Sequence, residues 1–267
     1  MSLTSADPLD VREYHLELTT TPDPPVSGRP LRLQLVVRDG RTGEIVRDFA
    51  IVHEREFHLF VISQDLEHYA HVHPTQERDG SFAIDVTLPR PGPYKIYADF
   101  LPRGGTPQVI PRSLVTADFD GDLASATASL HPDPVTVSGA RRTLRTTVGG
   151  IAVELELPPD GLLAGRDETF AYRLTDAATG APIADLEPYL GAWGHSLILS
   201  EDTLSLVHAH PLELLPDENG SAGGGPALTF KALLPKPGRY RIWTQVKRKG
   251  EVSTVTFTVA VGSPATM

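Results

Sequence analysis

The chain contains no cysteine, which excludes disulfide staples, thiolate metal sites and cysteine nucleophiles together. That absence does not fix the compartment, because an exported protein can do without disulfides. Methionine is nearly as scarce: the only two are Met1 and Met267, so a copper(I) site built from thioethers is not expected. Positive charge is in deficit, with 24 Lys and Arg against 34 Asp and Glu and a formal charge of −10. A nucleic-acid surface needs clustered cations, and no Lys/Arg run longer than the three residues Lys247-Arg248-Lys249 is present. No apolar run approaches the ~18 residues of a membrane-spanning helix. The segment Met1 to Asp7 lacks a basic region followed by an apolar one, so no secretion signal is expected there.

What is present reads as strand. The 267 residues are enough for one large domain or two of ordinary size, and with 40% apolar residues each of two could bury its own core. Gly (23) and Pro (24) are spread along the chain, and helical periodicity is scarce. Segments such as Leu31-Arg32-Leu33-Gln34-Leu35, Phe82-Ala83-Ile84-Asp85-Val86, Val153-Glu154-Leu155-Glu156-Leu157 and Val255-Thr256-Phe257-Thr258-Val259 alternate with period two. Alternation bounded by Gly, Pro and Asp turns is the pattern of half-buried antiparallel strands. Their spacing of roughly 8–12 residues suggests a sandwich.

The two halves repeat each other. Adding 137 to a number in the first half lands on its counterpart without a gap from Gly28 to Pro74. Gly28 maps to Gly165, Asp39 to Asp176, Thr42-Gly43 to Thr179-Gly180 and Ser63 to Ser200. Further on the offset becomes 146, so that Leu88-Pro89-Arg90-Pro91-Gly92-Pro93-Tyr94 matches Leu234-Pro235-Lys236-Pro237-Gly238-Arg239-Tyr240. The nine extra residues (146 minus 137) fit a loop insertion around Asn219 to Gly225, a change that loops absorb at little cost. The reading is all-β: two tandem immunoglobulin-like β-sandwich domains from an internal duplication. The first is expected over 1–118 and the second over 146–267. Between them, 119–145 reads as linker, since Ala, Ser, Thr and Pro dominate there and apolar periodicity lapses.

Histidine is where the repeat carries chemistry. His58, His71 and His73 map onto His195, His208 and His210, each set closing on His-x-His-Pro. If 58–73 is a hairpin, a register with Val61 opposite Ala70 sets His58 opposite His73 and His71 diagonal to it. Residues two apart share a strand face at about 6.5–7 Å, and cross-strand and diagonal pairs lie ~4.5–5.5 and ~7–8 Å apart. Three imidazoles could therefore converge, although a slip of one residue would turn His58 to the other face. Neutral imidazole is the usual nitrogen donor for zinc and copper, and three of them leave a coordination position open. The structural alternative is that the histidines cap a core by hydrogen bonds or form a rigid corner with Pro74 and Pro211.

Other candidates are weaker. His53 and His68 lack counterparts, because Leu190 and Ser205 occupy those positions. His53 and His58 are five apart, unlike the four of the zinc-protease His-Glu-x-x-His helix. His15 and His131 read as surface residues. Asp65 and Asp202 correspond but fall in a turn, where Asp commonly bonds local backbone. Glu54 and Glu187 lie at different repeat positions and are at most an outer partner or base. Trp193 sits among glycines beside His195, which would allow a pocket there or, more plainly, core packing. No duplicated acid or base accompanies the triads, so binding is expected ahead of catalysis.

The stretch Asp185-Leu186-Glu187-Pro188-Tyr189-Leu190-Gly191-Ala192-Trp193-Gly194-His195 with His208-Ala209-His210-Pro211, and Val52 to Phe60 with His71-Val72-His73-Pro74, resemble motifs of bacterial immunoglobulin-like proteins of the YtkA type. The resemblance covers most of both copies. It implies the sandwich and a periplasmic or extracellular setting, and it supplies no reaction. The expectation is therefore a Cu(II)- or Zn(II)-binding protein that acts in metal handling. Its rivals are a non-enzymatic module that binds a protein or glycan by its loops, and an enzyme that uses the open metal position.

Overall fold

The computed structural model describes residues 13–215 and 223–264. The termini, and most of the Asn219–Gly225 insertion, lie outside the described residues. The chain divides into two compact units between Ala126 and Thr127, and among the described residues no helix forms.

The first unit has eight strands: β1 (Tyr14–Thr21), β2 (Pro30–Asp39), β3 (Phe57–Ser63), β4 (Tyr69–Val72), β5 (Thr75–Gln76), β6 (Phe82–Thr87), β7 (Pro93–Phe100) and β8 (Gln108–Val115). One sheet runs β1-β2-β6-β5 and the other β4-β3-β7-β8. Taken in chain order, the first holds the first, second, sixth and fifth strands and the second the rest, which is the immunoglobulin-type arrangement of two antiparallel sheets. Alternation builds it: Leu31, Leu33, Leu35 and Val37 of β2 are all buried while their neighbours are not. They meet Leu59, Val61, Ile96 and Ala98 of the facing sheet in one core. Phe57, at the start of β3, stacks on Phe100 at 5.1 Å and lies 4.5 Å from Phe82. That aromatic cluster anchors the strand carrying His58.

The second unit repeats the plan. It adds β9 (Thr136–Ser138) and β10 (Arg141–Val148) ahead of β11 (Ile151–Leu157), then β12 (Leu162–Leu163), β13 (Asp167–Asp176) and β14 (Leu186–Glu187). There follow β15 (His195–Ser200), β16 (Leu206–Ala209), β17 (Ala227–Leu233), β18 (Gly238–Arg248) and β19 (Glu251–Gly262). The sheets are β17-β13-β11-β10-β9 and β12-β19-β18-β15-β16, with β14 beside β18. Its core gathers Leu155, Tyr172, Leu174, Ile198, Phe230, Ile242 and Phe257 among others.

The segment read as linker, 119–145, is only partly a connection. Residues 136–145 are built into β9 and β10, at the edge of the second unit's sheet. Leu144 and Thr143 are buried, and Arg145 and Arg141 bridge Glu154 across the strands at 2.8 Å each. The lapse in apolar periodicity misleads here because this outermost pair exposes most of its side chains.

A further feature is common to both units. Tyr94 Oη donates to the Arg90 carbonyl at 2.9 Å, and Tyr240 Oη donates to the Lys236 carbonyl at 2.8 Å. Each tyrosine opens the strand after the Pro-Gly corner, the tyrosine-corner device of immunoglobulin-type sandwiches.

Candidate metal centre

β3 is buried along its whole length. Leu59 and Val61 enter the core, so His58 and Phe60 occupy the opposite face. β4 pairs with β3 so that Val61 faces Ala70, Phe60 faces His71 and Leu59 faces Val72. Continuing that register by one residue sets His73 beside His58 on the same face. In the second unit Ser196 faces Ala209 and Leu197 faces His208, and the same step sets His210 beside His195.

The rings converge in both units. Each triad offers three ring nitrogens that all lie within 4.8 Å of one another. In the first, His58 Nδ1 is 3.0 Å from His71 Nε2, which is 3.2 Å from His73 Nε2. Ring centroids are separated by 5.3 Å (His58–His71), 5.0 Å (His58–His73) and 4.6 Å (His71–His73). The corresponding distances in the second are 5.7, 4.7 and 4.6 Å. Interplanar angles agree too: 30°, 83° and 60° against 36°, 87° and 57°. His58 is 3% exposed and His195 1%.

The spacing fits an ion better than it fits protons. With metal–nitrogen bonds of about 2.0–2.1 Å, tetrahedral ligand nitrogens sit about 3.3 Å apart, close to the 3.0 and 3.2 Å found. A carbonyl can only accept, so His58 Nε2, 3.0 Å from Val52 O, carries the ring proton and its Nδ1 presents a lone pair. A single proton on His71 Nε2 cannot serve both neighbouring nitrogens with good geometry, whereas a cation takes all three lone pairs at once. Donors of this kind suit Zn(II) and Cu(II), and with no cysteine in the chain a thiolate cannot replace them.

The remaining candidates stay outside the triads. Asp65 accepts from the Glu67 amide at 3.1 Å and Asp202 from the Leu204 amide at 3.1 Å, so both shape turns. Glu187 accepts from the Gly250 amide at 2.7 Å and pairs with Lys247 at 3.1 Å; these contacts hold its carboxyl below the ordinary range. Glu54, His15 and His131 are exposed. His68 is held below the usual imidazole value by burial and stands edge-on to Tyr94. Trp193 joins the core, and its indole N–H donates to Leu214 O at 3.1 Å.

The sequence reading missed the groups around the triads. The Val52 carbonyl has a twin in Tyr189 O, 2.9 Å from His195 Nε2. Each belongs to a two-residue turn closed by paired amides, Val52 with Arg55 and Tyr189 with Ala192. Three of the four central residues are not glycine yet have positive φ: His53 (48°), Glu54 (65°) and Leu190 (52°). Such conformations cost roughly 1–2 kcal/mol each and collect where structure serves a site. Phe60, stacked on His71 at 4.5 Å, was also unnoticed, and Leu197 replaces it in the second unit.

Tandem immunoglobulin-type sandwiches, each with three convergent histidines of which the first is buried, define the class. The chain belongs to the family described as Domain of unknown function (DUF8832), matched twice, over residues 10–116 and 146–263. That match is to this family, where the motifs of the sequence had suggested the YtkA-type group. No curated protein matches the chain. Among solved structures it is similar to domains 4 and 5 of the S-layer protein SbsC (14% identity, 94% of this chain and 99% of that one, TM-score 0.22). It is also similar to a segment of two fibronectin type III domains from chicken tenascin (12%, 94% and 100%, TM-score 0.23). A third is the adhesin InvE of Yersinia pseudotuberculosis (11%, 94% and 63%, TM-score 0.24).

Proposed function

We propose that the protein binds one divalent metal ion in each domain, Cu(II) or Zn(II), through His58, His71 and His73 and through His195, His208 and His210, and that it acts in metal handling. The observation that carries this reading is the recurrence of one three-ring geometry in two domains whose surrounding residues differ. Phe60 against Leu197 and His53 against Leu190 show how far the surroundings have drifted. Histidines kept only to cap a core have no need to bring three ring nitrogens within 4.8 Å of one another in both domains. The YtkA-type resemblance supports an extracytoplasmic setting for the same role.

The test is elemental analysis with Cu(II) and Zn(II) titration of the tag-free full chain beside a His71→Ala/His208→Ala variant. Near two equivalents are expected for the wild type, one for either single variant and none for the double. Uptake should fade below about pH 6, where protons compete for the imidazoles. Failure of the wild-type protein to take up either metal would overturn the reading and leave a paired module that binds a protein or glycan.

A further inference from the structure

We propose that the first histidine of each triad, His58 and His195, holds the ion through Nδ1 while the other two hold it through Nε2, and that the Val52 and Tyr189 carbonyls dictate this split. The inference rests on the metal reading and deepens it, since it names the ligand atoms and the backbone groups that position them.

The argument starts from hydrogen-bond chemistry. A carbonyl has two lone pairs and no proton. Val52 O accepts from the Arg55 amide at 3.1 Å and lies 3.0 Å from His58 Nε2. Tyr189 O accepts from the Ala192 amide at 3.2 Å and lies 2.9 Å from His195 Nε2. In both domains the Nε2 proton is thereby committed outward, and Nδ1 is the nitrogen left to ligate. A ligand histidine whose other nitrogen donates to a carbonyl has its tautomer and ring orientation set by that bond. For the partners, His71 and His73 bring Nε2 to the centre of the first triad. His208 Nε2 and His210 Nε2 are buried atoms in the second.

The split also makes geometric sense. Nδ1 is nearer the backbone than Nε2, so the ion sits close to β3 or β15, and the two residues from the neighbouring strand reach across with their far nitrogens. The carbonyl is held in place by a turn that only positive φ at both central residues can form. His53 and Glu54 adopt it at 48° and 65°, and Leu190 and Gly191 at 52° and 70°. Two turns with different residues thus deliver one carbonyl to one place.

The full chain, labelled with 15N at histidine and loaded with Zn(II) or 113Cd(II), reports the bonding nitrogens directly by long-range proton–nitrogen correlation. The expected spectrum shows His58 and His195 protonated at Nε2 and bound at Nδ1, with the other four bound at Nε2. Metal uptake with His58 and His195 bound at Nε2 would overturn this inference and leave the metal reading intact, whereas absence of uptake would overturn both. The positioning role has its own arm. In a His71→Ala background, where the second triad alone binds, Gly191→Val places a β-branched residue where φ is 70° and should displace the Tyr189 carbonyl. Zn(II) affinity is expected to fall by about 10- to 100-fold, as for other partners of metal-bound histidine, and His195 should lose its single tautomer. Unchanged affinity with unchanged Nδ1 ligation would show that the carbonyl does not position the ring.

Discussion

Tyr94 and Tyr240 each spend their hydroxyl on a carbonyl four residues earlier, and in doing so fix the corner from which the strand beside the histidines departs. Burial pushes both phenols up from the ordinary tyrosine value. Tyr240→Phe should cost about 0.5–1.5 kcal/mol, the usual net worth of one such bond. Both tryptophans, Trp193 and Trp243, lie in the second domain, so the midpoint of tryptophan fluorescence in denaturant measures that cost without interference from the first. At this scale the sequence was partly legible. The six histidines stood out because side chains carry their identity and their spacing recurs. The Val52 and Tyr189 carbonyls did not, because every residue has a carbonyl and only its placement makes it a partner. The tyrosine corner lies between these cases: Leu88 to Tyr94 aligns with Leu234 to Tyr240, and that match marks the repeat without showing where the hydroxyl bonds.

At the scale of elements, hairpins explain both what was foreseen and what was not. The hairpin of β3 and β4 could be posited, because a polar turn separates an apolar run from a His-x-His pair, and the assumed pairing of Val61 with Ala70 is the one found. The hairpin of β10 and β11 was missed although its signal is strong. Gly149 and Gly150 have φ of 53° and 74°, and a Gly-Gly pair between strands is a standard two-residue turn. The Ala, Ser, Thr and Pro content of 119–145 is that of a linker and masks the strand that includes Leu144-Arg145-Thr146-Thr147-Val148. The strand it hides contributes to the core. Leu144 is 1% exposed and packs with Leu155 and Phe257 in one cluster. Leu144→Ala should therefore destabilise the second domain by about 2–5 kcal/mol. Val137, 61% exposed on β9, is the control, and Val137→Thr should stay within about 0.5 kcal/mol of wild type. Equal, small effects in tryptophan-monitored unfolding would mean that residues 136–148 are not part of the cooperative unit.

Across the whole molecule the duplicated domains have parted company in their cores, and pH should separate them. In the second, Tyr172 Oη and Thr244 Oγ1 are 2.8 Å apart and Ser196 Oγ lies 3.0 Å from the same threonine. The matching positions in the first are Leu35, Ala98 and Leu59, all buried and apolar. Burial lifts the Tyr172 phenol from 10 to about 12. A raised acid binds its proton more tightly in the folded state, so between pH 10 and 12 the native domain carries more protons than the unfolded one. Stability then falls as pH rises through that window. The contribution is fully present below pH 10 and is lost as pH rises through 12, about 3 kcal/mol in all, two units at roughly 1.4 kcal/mol each. Tyr172→Phe has no proton to lose, so its unfolding midpoint should decline less steeply over the same range, even though the variant forgoes a hydrogen bond at neutral pH. Tryptophan-monitored denaturation at pH 9 and pH 11 measures the difference. Parallel declines in wild type and variant would mean that other groups set the alkaline limit and that the Tyr172 hydroxyl gives up its proton at little cost to the fold.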